Sequence, residues 1–165
     1  MARSPLTIKQ ILTILTETPS RIADLTDGLT AVQLRTPPGQ DEWSVNDVLA
    51  HLRSCADVWG HCISAILSQD RPTLRAIDPR TWVKTTDYPE LDFQSSFQAF
   101  TTQRTELLVV LKSLGPESWS RGATVTGAGK PLERTVLFYA QWLARHERTH
   151  VKQIEKTANA VRGAS

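Results

Sequence analysis

Cysteine is scarce. Only Cys55 and Cys62 occur in 165 residues, seven apart in a helical pattern, where a helix separates them by about 10 Å and no disulfide can close. Covalent stapling is therefore not expected to hold the fold, and reduced thiols fit a cytoplasmic setting. Charge of one sign is also short: the net charge is +2, which gives no electrostatic reason to expect nucleic acid or an anionic membrane as partner. No apolar run approaches the length of a membrane span, and the opening MARSPLTIKQ has no apolar signal segment. Internal repeats and low-complexity tracts are missing as well.

What remains is the composition of an ordinary globular domain, 40% hydrophobic and 22% charged. A chain of this length buries roughly two-thirds of the surface it exposes when unfolded, enough to fold without staples, so a single domain over residues 1–165 is expected. Periodicity reads as four amphipathic helices. The first runs from about Leu6 to Leu29, with Pro19 expected to kink or interrupt it and Gly28 marking a frayed end. A polar stretch with Pro37, Pro38 and Gly39 follows. The second helix starts at Ser44 as N-cap, with Asp47 at the capping-box position and Trp43 and Val48 placed as a hydrophobic staple. Its inward stripe is Val45, Val48, Leu52, Cys55, Trp59, Cys62, Ile63 and Ile66. Ser68 to Leu91, broken by Pro72, Pro79 and Pro89, reads as a long connection. The third helix spans about Asp92 to Leu114, with Phe93, Phe97, Phe100, Leu107, Leu108 and Leu111 inward. A glycine-rich connection, compatible with a short strand pair around Ala123–Thr126, leads to a last helix from about Glu133 to Ala160. The expected fold is all-α, a four-helix bundle with long crossover connections.

The chain has four histidines, and their placement is uneven. His146 and His150 stand at i and i+4 on the last helix, so both project from nearly the same angle. His51 lies on the shoulder of the inward stripe of the second helix, whereas His61 falls well off that stripe and is expected to face solvent. Three imidazoles from two helices can converge on one cation in a bundle core. Such a neutral nitrogen set suits zinc, nickel or iron(II) and leaves positions open, the pattern of a catalytic site. The alternative is ordinary histidines near helix ends or in hydrogen-bonded core positions, and spacing alone does not decide between the two.

The string His146-Glu147-Arg148-Thr149-His150 also fits the zinc-protease pattern H-E-x-x-H. Only fifteen residues follow His150, however, and they hold no further histidine; Met1 is the only methionine, so there is no Met-turn. Peptidase activity is not expected.

The stretch Glu42-Trp43-Ser44-Val45 leading to Val48-Leu49-Ala50-His51-Leu52, together with Leu143-Ala144-Arg145-His146-Glu147-Arg148-Thr149-His150-Val151-Lys152-Gln153-Ile154, resembles the second and last helices of the DinB/YfiT-like superfamily. The resemblance implies a bundle holding a divalent metal through His51, His146 and His150, often as a homodimer. Members of that superfamily include thiol-dependent S-transferases using mycothiol or bacillithiol, a thiol-dependent maleylpyruvate isomerase, and proteins assigned as metal-dependent hydrolases. By that analogy a low-molecular-weight thiol is a candidate co-substrate.

Arg104 and Glu147 fall within apolar stripes, where charges are rare unless paired. They are read either as a buried salt bridge or as catalytic groups, Glu147 as general base and Arg104 as a clamp for a substrate carboxylate. Cys55, one turn after His51, could close a tetrahedral site, although a small core hydrophobe is the commoner role for such a residue. Tyr139, Trp142 and Gln153 share the His146 side of the last helix as candidate pocket residues. The ridge of Arg145, Arg148, Lys152 and Lys156 reads as a solvated face. The functional expectation is a metal-dependent enzyme acting on a small molecule. It leans to thiol-dependent S-transfer, with metal-dependent hydrolysis or a non-catalytic metal-binding or stress-response protein as alternatives.

Overall fold

A computed structural model describes residues 3–164. Four long helices form the bundle: α1 (Ile8–Thr26), α3 (Val45–Ser68), α5 (Phe93–Lys112) and α7 (Val136–Gly163). Short helices lie in the connections, α2 (Ala31–Arg35), α4 (Pro79–Trp82) and α6 (Pro116–Trp119). So does a small sheet of β1 (Thr73–Arg75), β2 (Gly122–Thr126) and β3 (Leu132–Thr135). The main packing pairs are α3 with α7, α1 with α7, α1 with α5 and α3 with α5. Around the bundle the order is thus α1, α7, α3, α5, which sets α1 diagonal to α3 and α5 diagonal to α7. Two of the three sequence-adjacent pairs are diagonal, so their connections must cross an end of the bundle.

Several details differ from the sequence reading. Helix α1 runs unbroken through Pro19. Proline removes the N–H that Leu15 O would otherwise accept, and that carbonyl instead accepts from Arg104 Nη1 at 3.0 Å. The connection between α3 and α5 is structured, containing β1, α4 and a 3-10 turn at Val83–Thr85. The strand pair is real and acquires a third member: β1 runs parallel to β2 (Thr73 opposite Thr124), and β3 antiparallel to it (Gly122 opposite Thr135). Glu133 belongs to β3, and the last helix begins at Val136 with Thr135 as N-cap. The turn from β2 to β3 uses Gly127 and Gly129 at φ +90° and +89°, a region that side chains with a Cβ avoid.

The core falls into two levels. One contains Ile11, Leu15, Cys55, Ile63, Ile66, Leu111, Tyr139 and Leu143; the other contains Ile22, Val48, Leu49, Leu52, Phe93, Phe100, Val151 and Ile154. Thr18, Arg104 and Glu147, all buried, lie between these two sets along α1, α5 and α7. His51 of α3 and His146 and His150 of α7 fall near the same junction.

Candidate metal centre

Helix α3 is started by the expected capping box. Ser44 Oγ accepts from the Asp47 N–H at 3.1 Å, and Asp47 Oδ2 accepts from the Ser44 N–H at 3.0 Å. This fixes the phase of the helix two turns before His51. On α7 the Thr135 hydroxyl accepts from the Phe138 N–H at 3.0 Å, and a regular helix then carries His146 and His150 on one face.

The three rings meet. His146 Nε2 is 2.9 Å from His51 Nε2 and 3.0 Å from His150 Nε2, and their ring centroids are 4.4–5.1 Å apart. A ring nitrogen presents one in-plane site, either an N–H or a lone pair, so His146 Nε2 cannot hydrogen-bond well to both neighbours. A cation facing all three lone pairs removes the conflict. At about 2.1 Å from a shared centre, His146 Nε2 and either neighbour, 2.9–3.0 Å apart, subtend about 90° there. The donor set therefore fits a divalent cation on three neutral nitrogens. Gln153 Oε1 lies 2.7 Å from His150 Nδ1; accepting that proton fixes the tautomer and leaves Nε2 free as a donor to metal.

The electrostatics agree. Burial holds the His51 and His146 rings down at about 4, with the neighbouring histidine His150 adding to the effect. His150 is also lowered by burial, opposed by its bond to Gln153 and by the charge of Glu147. Neutral imidazole is the form that binds metal. Cys55 lies beside the trio, its Sγ 3.5 Å from His51 Nε2, and the donor atoms of His51, Cys55 and His146 all fall within 4.8 Å of one another. Burial, then the charge of Glu147, pushes the Cys55 thiol up.

Aromatic rings frame the centre. Trp43 packs against His51 and His150, with centroids at 5.1 and 6.3 Å. Trp59 meets His146 edge-on at 5.1 Å and continues to Trp142 at 6.0 Å. His51 is buried while His146 and His150 are half-buried, so solvent reaches the centre from one side. There a cleft of about 360 Å³ is lined by Trp43, Glu42, His150, Gln153 and Lys156. A larger hollow of about 700 Å³ lies at Asp57, Cys62 and Trp82, away from the three rings; donor chemistry, rather than volume, distinguishes the site.

The remaining candidates separate. Arg104 and Glu147 engage each other: Arg104 Nη1 donates to Glu147 Oε2 at 2.9 Å, and Nη2 to Oε1. Glu147 is fully buried, so neither group faces the cleft. Trp142 stands half-exposed at the end of the aromatic row, whereas Tyr139 is buried and faces Cys62. His61 is exposed, as expected.

Sequence reading missed Asp78 and Arg80, whose opposite charges act on His51 from α4. Their signal was present in the Asp78-Pro79 pair, an N-cap followed by proline at the first helical position. Ser54 Oγ donates to Pro79 O at 2.8 Å, tying this turn to α3.

Comparison with known proteins places the chain in a family. A protein provisionally named a metal-dependent hydrolase in Halalkalibacterium halodurans is 26% identical over 148 residues, covering 88% of this chain and 82% of its own. One with the same provisional name in Geobacillus thermodenitrificans is 23% identical over 157 residues, covering 90% and 84%. Among solved structures, YfiT from Bacillus subtilis, described as a four-helix bundle of unusual topology, superposes with a TM-score of 0.80 at 18% identity. It covers 96% of this chain and 91% of that one. The four-helix bundle protein TT2238 gives 0.63 at 17% identity, covering 91% and 99%. The sequence model of the DinB superfamily matches residues 14–154, from within α1 through both histidines of α7, and the chain belongs to that superfamily.

Proposed function

We propose that the chain is a metal-dependent enzyme that hydrolyses a small molecule at a centre formed by His51, His146 and His150. The observation that carries this is the meeting of three Nε2 atoms around His146, at 2.9 and 3.0 Å, with one side open to solvent. A divalent cation bound there supplies Lewis acidity and lowers the pKa of water towards neutrality. The chain's own residues do the rest. Gln153 holds the His150 tautomer. Trp43 and Trp59 wall the rings and limit access to the half-open side. The buried Arg104–Glu147 pair is given a positioning role: it anchors α7 between His146 and His150 against α5 and the Leu15 carbonyl of α1. Acid–base action by Glu147 would require that pair to open.

Two lines support hydrolysis over thiol transfer. The curated relatives are provisionally named hydrolases, and the lean towards S-transfer rests on analogy within the superfamily alone. The test is metal analysis of the purified chain, with activity against a panel of small esters and amides. His51→Ala and His150→Ala are expected to lose the cation and the hydrolysis together while keeping the helical circular-dichroism signal. Full metal occupancy in both variants would refute the three-histidine centre. Metal-dependent turnover only when a low-molecular-weight thiol is added would refute hydrolysis and leave the centre standing.

A further inference from the structure

Cys55 is a donor beside the three rings that the hydrolytic reading leaves unused. It lies one turn after His51 on α3, is fully buried, and shares a cluster with His51 and His146 in which all donor atoms are within 4.8 Å. We propose that Cys55 Sγ is a fourth protein ligand, so that the cation sits on three nitrogens and one sulfur; this rests on the three-histidine centre.

The separation fits. A sulfur about 2.3 Å from a cation and a nitrogen about 2.1 Å from it lie 3.5 Å apart when they subtend roughly 105°, and Sγ is 3.5 Å from His51 Nε2. The competing account is a thiol donating to that nitrogen. His51 Nε2 already faces His146 Nε2 at 2.9 Å, and a single in-plane lone pair cannot serve both. Ligation resolves the two conflicts at once: the S–H bond breaks, its proton leaves to bulk buffer, and the sulfur–metal bond forms.

Sulfur changes which cation the centre prefers. Three imidazoles alone accept most first-row divalent metals, whereas a thiolate softens the set and favours zinc over the harder manganese and magnesium. A four-ligand zinc centre remains compatible with turnover where it expands to five-coordinate as substrate arrives.

The experiment is optical. The metal-free full-length chain is loaded with cobalt(II), whose visible d–d bands report the bound ion and whose near-ultraviolet charge-transfer band reports a sulfur ligand. Both are expected in the unaltered chain. Cys55→Ser is expected to keep the visible bands and lose the charge-transfer band, and Cys62→Ser to keep both. X-ray absorption of the zinc-loaded chain should show a sulfur shell at about 2.3 Å. Visible bands without charge transfer in the unaltered chain overturn the sulfur ligand and leave the three histidines intact. Failure to take up cobalt at all overturns both. A charge-transfer band that persists in Cys55→Ser, or that Cys62→Ser removes, overturns Cys55 as the ligand, and the Cys62→Ser spectrum does not depend on how well Cys55→Ser folds.

Discussion

A histidine withdrawn from water resists protonation, and this gives the metal-free chain a pH signature. The unfolded chain binds a proton on each ring near 6.5, whereas burial in the folded chain holds His51 and His146 down at about 4. Between those values the unfolded state carries more protons, so stability rises with pH there. The contribution is fully present above about 6.5 and is lost progressively as pH falls towards 4. Urea midpoints of the chelated protein should therefore drop across that window, and His51→Asn should flatten the dependence. A midpoint that stays level from neutral pH to about 4 would mean the rings are not held neutral. The three histidines were legible because i, i+4 spacing on one helix and a shoulder position on another are angular facts that helical periodicity preserves. Asp78 and Arg80 were not, because they reach His51 only through the path of a connection that sequence spacing cannot trace.

At the scale of elements, the buried ion pair decides how α5, α7 and α1 sit together. Arg104 and Glu147 are both out of solvent, and among the described residues Arg104 Nε finds no partner, so the pair is held by geometry rather than by complete satisfaction. Removing one partner strands a buried charge, at a cost of about 3–5 kcal/mol; replacing both with apolar groups of similar size is often close to neutral. Chemical denaturation should show Glu147→Leu and Arg104→Met each strongly destabilised and the double variant substantially recovered. Additive losses in the double variant would mean that the pair does not act as a unit. Recovery will be incomplete if the Leu15 carbonyl, freed by Pro19, is left without its Arg104 donor. Sequence reading singled out the two charges because both interrupt apolar stripes, and left open whether they pair or act in catalysis. It expected Pro19 to break or kink α1, since the compensating donor comes from 89 residues away. The long helices were legible from caps and periodicity. Of the sheet only the strand pair was legible; β1, three residues long, was not, because it finds β2 through a pairing of Thr73–Arg75 with Thr124–Thr126, beyond the reach of any local pattern.

On the scale of the whole molecule, the centre joins α3 to α7, the most extensively packed pair of bundle helices, at the level where the two apolar clusters separate. A cation there closes a polar junction inside the core and binds the folded chain alone, because the unfolded chain does not bring His51 within reach of two rings some 95 residues further on. Binding then stabilises by mass action, by about 2.7 kcal/mol at a free metal concentration a hundred times the dissociation constant. For a domain of this size that corresponds to a rise in Tm of roughly 5–10 °C. Chelation should reverse the rise. His146→Ala should abolish it, as should loss of either partner, since its Nε2 faces both other rings. Scanning calorimetry with and without zinc, on the unaltered chain and on His146→Ala, measures this directly. A Tm indifferent to zinc in the unaltered chain would mean that the three rings meet without chelating, and the bundle would then owe its cohesion at this level to Arg104 and Glu147.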